Sequence, residues 1–311
     1  MSENPSIWGE LAGLTLTKGH GTGNDFIFLT DENAEIALTP ELVARVCDRH
    51  FGIGADGFIR AARSTAFRAG QKLLEEHPDA VWFMDYRNGD GSIAEMCGNG
   101  VRAFVEYLRT EGLIELEVGE TVKIGTRAGV KTVARTEEGY AIDMGPWSFI
   151  HGEAAREGGE DCLVSARGLK TPRAGLSISM GNPHTVVMLG SDGKLDGLDL
   201  HSLPQVSPAP VNGTNVEFVV PVDLDVESGA QVGAIRMRVH ERGVGETLSC
   251  GTGACAAAAA TRFWGGEEAP DEWLVHVPGG TLAVTFVLGP DDLEHVVLAG
   301  PAQMVATVVL Q

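Results

Sequence analysis

One stretch of this 311-residue chain occurs twice, and no other feature constrains the fold as much. Met84–Phe104, MDYRNGDGSIAEMCGNGVRAF, aligns without a gap on MRVHERGVGETLSCGTGACAAAAA, which begins 153 positions later at Met237. Met84 falls on Met237, Asn88 on Glu241, Cys97 on Cys250, Gly98 on Gly251, Gly100 on Gly253 and Ala103 on Ala256. Each copy reads as a short strand, a Gly-rich turn, a Cys-Gly-x-Gly tetrapeptide and a helix of small or apolar residues. A second match, Gly23-Asn24-Asp25-Phe26 with Gly181-Asn182-Pro183-His184, lies 158 positions apart. A chance tetrapeptide would not repeat in two segments, so the chain is expected to fold as two related halves, each offering one thiol.

The expected boundaries put residues 1–145 in an N-terminal half carrying Cys97, rejoined by 297–311, and residues 146–296 in a C-terminal half carrying Cys250. Residues 1–13 read as a loose leader, and the poorly patterned stretch from Gly145 to Arg173 as a linker. Thr39–Arg49 is predicted helical, with Thr39 at the N-cap and Pro40 at N1. The charged segment Ala66–Asp79, within the Ala61–Asp79 region, reads as a surface insertion. Strands are expected at Leu14–Lys18, Ala80–Asp85, Glu115–Val118, Thr121–Thr126, Val130–Thr136 and Tyr140–Met144. The second half repeats the pattern in Gly175–Leu189, Asn212–Pro221, Ala234–His240, Trp273–Val277, Thr281–Leu288 and His295–Ala299, and Val305–Leu310 is left as a strand or helix returning to the first half.

A net charge of −20 excludes nucleic acid and anionic membranes as natural partners. No apolar run approaches the roughly 20 residues of a membrane span, and the start lacks a secretory pattern, so a cytoplasmic location is expected. The five cysteines are an odd number with no CxxC spacing, which argues against a disulfide framework. Cys47, Cys162 and Cys255 then read as buried packing, and Cys97 and Cys250 as reactive thiols.

A Cys-Gly-x-Gly sequence between strand and helix seats the sulfur at the helix amino end, where unpaired N–H groups and the macrodipole favour negative charge. There a thiol of ordinary pKa ~8.5 is expected to be lowered. The same N–H groups can hold a carboxylate, because flanking glycines allow close approach. An anion clamp with two proton-transfer groups suits removal of a proton beside a carboxylate and its return on the other face, with the enediolate held by fixed donors. No Walker pattern, HExxH or Schiff-base lysine is visible, so neither metal nor cofactor is expected. Metal binding by the thiols with His184 and Glu241, and a redox disulfide, are the other readings of the pair; the first lacks the usual close ligand spacing, and the second needs a resolving partner close by, although two opposed cysteines could pair when oxidised.

HGTGNDF, MCGNGVRAF, GNPH, NGTNVEFV and RVHERGVGETLSCGTGACA, in this order from residue 18 to about 260, resemble the diaminopimelate epimerase family. The resemblance implies a cofactor-independent epimerase interconverting LL- and meso-2,6-diaminopimelate in lysine and peptidoglycan-precursor synthesis. It implies an α+β fold of two pseudo-symmetric domains, each a mixed or antiparallel sheet around a central helix, with the site in the cleft between them, and a homodimer. By resemblance Cys97 and Cys250 are the thiolate base and thiol acid, exchanging roles with direction, and His184 and Glu241 assist them. Gly98 with Asn99 and Gly251 with Thr252 match the donors for the reacting carboxylate. Asn24, Asn88, Asn182, Asn215 and Arg242, with Glu241, match the substrate-binding set; an Arg that can grip a carboxylate bidentately suits a substrate with an amino-acid head at each end.

The chain departs from the family in three places. Gly57 follows Asp56 where many members carry Gln, His240 stands where an aromatic is frequent, and the Ala61–Asp79 region is long. A proline or hydroxyproline racemase shares the two-thiol plan but resembles CGHG at the first cysteine, where this chain has Asn99. A non-catalytic amino-acid-binding protein on the same scaffold would be expected to lose one thiol, and both are present.

Overall fold

The computed structural model describes residues 7–223 and 232–311, so the first six residues of the expected leader lie outside the described residues. The rest of that leader is not loose. Gly9–Leu11 forms a 3-10 turn and Leu11 is fully buried in a core with Leu16, Ile27, Val43 and Phe58.

The chain divides into two compact units, one running to Ile142 and including Gly300–Gln311, the other Asp143–Ala299. In chain order the elements up to the division are β1 (Thr15–Gly21), β2 (Asn24–Thr30), α1 (Pro40–Cys47), β3 (Gly57–Arg63), α2 (Arg68–Glu76), β4 (Trp82–Asn88), α3 (Gly98–Thr110), β5 (Thr121–Thr126), β6 (Gly129–Thr136) and β7 (Gly139–Pro146). Then follow β8 (Ser148–Phe149), α4 (Gly152–Gly158), β9 (Cys162–Ser165), β10 (Arg173–Ser179), β11 (Pro183–Met188), α5 (Asp192–Asp196), β12 (Gln205–Ser207), β13 (Asn215–Pro221), β14 (Val232–Glu241) and β15 (Gly245–Thr247). The series ends with α6 (Gly251–Gly265), β16 (Glu272–Val277), β17 (Gly280–Leu288), β18 (Glu294–Gly300) and β19 (Gln303–Val309).

The pairing pattern is the same in both units. In the first, β1–β2 is antiparallel, β2–β3 parallel, β3–β4 antiparallel, β4–β5 parallel, and β5–β6 and β6–β7 antiparallel. In the second, β10–β11 is antiparallel, β11–β13 parallel, β13–β14 antiparallel, β14–β16 parallel, and β16–β17 and β17–β18 antiparallel. The strand before each Cys-Gly-x-Gly copy, β4 or β14, holds the same place in each series. The expected pseudo-symmetry is therefore a symmetry of topology as well as of sequence.

Each mixed sheet surrounds one helix. α3 packs against β1, β2, β3, β6 and β19, and α6 against β10, β11, β13, β14, β16 and β17. A helix enclosed by strands on many sides must be apolar all round rather than on one stripe. Val101, Ala103, Phe104, Val105 and Leu108 of α3 are accordingly fully buried. In α6 the run Ala256–Ala260 is buried throughout, and its short side chains let the strands approach closely.

Local signals account for most boundaries. The Thr39 hydroxyl caps α1 by accepting from Leu42 N at 3.2 Å, with Pro40 at the first helical position. Val305–Leu310 resolves as strand β19, antiparallel to β1. Ala66–Asp79 lies at the surface as expected and holds helix α2, in which only Gly70 is buried, preceded by Phe67, whose ring lies 4.9 Å from Phe83. Two expectations need correction. Glu115–Val118 forms no strand: its backbone turns on itself, Glu120 N donating to Glu117 O and Glu117 N to the Glu120 carboxylate. The supposed linker between Gly145 and Arg173 is folded as β8, α4 and β9, with Phe149 packed edge-on against Trp147 and Phe263.

Candidate active site

Cys97 and Cys250 occupy the same local structure. Cys97 is the N-cap of α3 with extended backbone, and its sulfur accepts from Gly100 N at 3.4 Å. Cys250 is the N-cap of α6, also extended, and its sulfur accepts from Gly253 N at 3.4 Å. The first intrahelical bonds are made by Val101 N and Ala254 N to the two cysteine carbonyls. The N–H groups of Gly98 and Asn99, and of Gly251 and Thr252, thus precede the helical ladder at the positive end of each helix dipole.

Around Cys97 the first unit assembles Asn24 and Asn99. Asn24 opens β2 directly after a two-residue turn in which Thr22 and Gly23 both have positive φ, 53° and 81°. Its Oδ1 accepts from Cys97 Sγ at 3.5 Å and from Asn99 Nδ2 at 3.4 Å, while its Nδ2 donates to Asp56 at 2.7 Å. Position 21 must be glycine, because a Cβ there would stand 2.7 Å from Asn99 O. Beneath the helix start lies fully buried Arg102, which donates to Asn99 Oδ1 at 2.9 Å, Thr22 Oγ1 at 3.0 Å and Gly98 O at 3.2 Å. Asp25 beside Asn24 ion-pairs with Lys18 and Arg49 at 3.0 and 2.8 Å. Burial pushes its carboxyl up, but those two cations prevail and hold it at about 2. Asn88 ends β4 and is bonded to Ser92 Oγ at 3.0 Å rather than to the Cys97 group.

In the second unit the polar residues form a continuous line. His184 on β11 is fully buried, with Nδ1 2.7 Å from Glu217 Oε1 and Nε2 3.0 Å from Asn182 Oδ1. Asn182 Nδ2 donates to Thr252 Oγ1 at 3.4 Å, and that oxygen is 3.6 Å from Cys250 Sγ. Asn215, paired across the sheet with His184, donates to Pro183 O at 3.1 Å and accepts from Arg242 N at 2.9 Å. The exposed Arg242 side chain is bonded to Asn212 O at 2.9 Å. Glu241, at the end of β14, accepts from Thr247 Oγ1 at 2.5 Å.

The sequence expectation of a lowered thiol fails at Cys250. Burial, then the Glu241 and Glu217 carboxyls, push this thiol well up, and the Thr252 hydroxyl and Gly253 N–H offset only part of that. Desolvation outweighs the helix end, so Cys250 is a neutral thiol at neutral pH. Burial also pushes Cys47 and Cys162 up to about 12, which fits inert packing.

Glu217 and Arg102 were not among the expected site residues. Each is a lone charge inside an apolar run, NVEFVV and VRAFV, and that was the available signal, because a charge buried in such a run needs a dedicated partner.

The fold is shared with proteins of the isomerase and phenazine-biosynthesis type. A PhzF-family phenazine biosynthesis protein from Bacillus anthracis superposes with a TM-score of 0.62 at 16% identity, covering 95% of this chain and 98% of that one. A probable proline racemase from Agrobacterium radiobacter gives 0.56 at 16% identity, covering 96% and 92%. Sequence comparison is more specific: a family model described as diaminopimelate epimerase matches residues 16–150 and 176–305. Diaminopimelate epimerases from Rhodococcus opacus and Streptomyces coelicolor are 41% and 42% identical, covering 94% of this chain and 96% and 94% of theirs. That from Mycobacterium tuberculosis is 42% identical, covering 90% of this chain and 95% of its own length. The chain belongs to the diaminopimelate epimerase family. None of the helices among the described residues is long and apolar enough to cross a membrane.

Proposed function

We propose that this protein interconverts LL- and meso-2,6-diaminopimelate by proton transfer at one α-carbon, with Cys97 and Cys250 as the two exchanging groups and no cofactor taking part. The observation that carries the reading is the pair of cysteines capping topologically equivalent helices in a chain of this family. One sulfur, as thiolate, takes the α-proton; the C–H electron pair moves into the adjoining carboxylate, giving an enediolate. The other sulfur, as thiol, gives its proton to the opposite face, and the roles are exchanged for the reverse direction. The buried, neutral Cys250 thiol supports its role as the donor in the resting protein.

Each negative oxygen of the enediolate needs fixed donors. The N–H groups of Gly98 and Asn99, and of Gly251 and Thr252, supply them at the two helix starts. Asn24, Asn88, Asn182, Asn215, Glu241 and Arg242 are assigned to recognition of the substrate's ionic groups, and His184 and Glu241 to adjusting the protonation of the thiols. The same family membership supports a cytoplasmic homodimer acting in lysine and peptidoglycan-precursor synthesis.

The test is incubation in D₂O with LL-diaminopimelate or L-proline, comparing wild type with Cys97→Ala and Cys250→Ala. Deuterium should enter the α-position of the first substrate alone, and neither variant should epimerise. Exchange into proline would move the protein to the racemases. Epimerisation surviving in either variant would sink the two-thiol reading.

A further inference from the structure

Glu217 is a buried titratable group to which the proposed reaction gives no part. It stands in the apolar run of β13 with no exposed surface. Its Oε1 meets His184 Nδ1 at 2.7 Å, while Oε2 is buried with no hydrogen-bond partner among the described residues. An ionised carboxylate with one oxygen dry and unpaired is costly, so its charge has to be cancelled by a proton held between Oε1 and Nδ1. Burial raises the affinity of Glu217 for that proton.

The rest of the line then has a fixed polarity. Asn182 turns its NH₂ to Thr252 Oγ1 and its oxygen to His184 Nε2. An amide oxygen only accepts, so Nε2 must carry a hydrogen. Thr252 Oγ1, already accepting from Asn182, has its own hydrogen to give to Cys250 Sγ, 3.6 Å away. The other carboxyl acting on this sulfur is Glu241, whose Oε1 is held by Thr247.

Building on the reading of Cys250 as a proton-transfer group, we propose that Glu217 is a positioning residue for it. By keeping one proton between itself and Nδ1, Glu217 leaves the other imidazole hydrogen on Nε2. Asn182 and Thr252 are thereby oriented so that the threonine hydroxyl donates to the sulfur whenever Cys250 is the thiolate. Loss of the carboxyl frees His184 to adopt either tautomer, and the donor to the sulfur is no longer fixed.

The test has two arms. In wild-type protein labelled with ¹⁵N-histidine, with the His184 signals assigned by their absence from His184→Asn, Nε2 should carry the hydrogen under the conditions of the kinetic assay. In Glu217→Leu, which is close in size but can neither donate to nor accept from Nδ1, the His184 signals should show mixed tautomers. With diaminopimelate as substrate, kcat should fall by about 100-fold, as for a misplaced catalytic group, while KM stays within about threefold. An unprotonated Nε2 in the wild type overturns the proposal, and this arm stands even if the variant does not fold. Unchanged kcat in Glu217→Leu, or a fall in kcat with wild-type His184 signals, overturns it equally. Failure of the wild type to epimerise would instead defeat the functional reading, which the NMR arm does not depend on.

Discussion

Replacing Gly253 by alanine puts a methyl group where the second unit has no room for one. Built on the present backbone, the methyl carbon would lie 2.8 Å from Glu217 Oε1 and 3.2 Å from both Cβ and Sγ of Cys250. Glu217 cannot retreat, because it is fully buried with His184 against its carboxyl. The helix start or the carboxylate must shift instead, and overpacking of this kind costs about 1–3 kcal/mol. Alanine returns at most about 1 kcal/mol through better helix propensity. The net loss is about 1 kcal/mol, a fall in Tm of about 2–4 °C for a unit of this size.

Gly100, the equivalent residue in α3, provides the control. A methyl there meets Met84 Cε at 3.1 Å, Cys97 Cβ at 3.3 Å and Phe26 Cζ at 3.4 Å, and the nearest of these is the flexible end of a methionine. Gly100→Ala should therefore be the milder change in both stability and rate. Calorimetry and α-proton exchange on the two variants give the comparison. Equal effects, or a Gly253→Ala protein with wild-type Tm and kcat, would refute the claim that Glu217 is wedged beneath the α6 start.

Two further outcomes follow from burial of the thiols. With limiting iodoacetamide at pH 8, followed by peptide mass spectrometry, half-buried Cys97 should be modified at least about tenfold faster than Cys250, since each unit by which a thiol is raised costs tenfold in thiolate; equal rates would contradict the desolvation argument. At alkaline pH, Cys47 and Cys162, raised by burial from 9.0 to about 12, bind protons in the folded chain that the unfolded chain has released. Their contribution to stability is complete below about pH 9 and lost as pH rises toward 12. Urea midpoints should fall across that window, less steeply in Cys47→Ala, and an unchanged slope in the variant would count against it.

The thiol environment was legible in the sequence to the extent that its causes are local. An N-cap needs only its own four residues, so Cys97, Cys250 and Thr39 could be placed on helix starts from spacing alone. Strand pairing is decided between residues far apart, and nothing in Asn212–Pro221 says that β13 lies parallel to β11 and antiparallel to β14. Position in a motif also does not give contact. Asn24 reaches Cys97 through Oδ1, whereas Asn88, equally placed in its motif, is bonded to Ser92. The proton affinity of the Cys250 thiol is non-local in the same way. The helix end could be read from sequence, but the desolvation and the two carboxyls come from β13 and β14 folding over it.

Strand β19 lies along β1 and against α3, so the bed of the Cys97 helix includes residues 303–309. On the ribosome, everything belonging to the second unit is synthesised before those residues appear, and its strands and helix are contiguous in the chain. During translation, then, the Cys250 half can mature first, while the nascent first half carries an open β1 edge until the last strand emerges. Loss of residues 303–311 would leave that edge exposed for good.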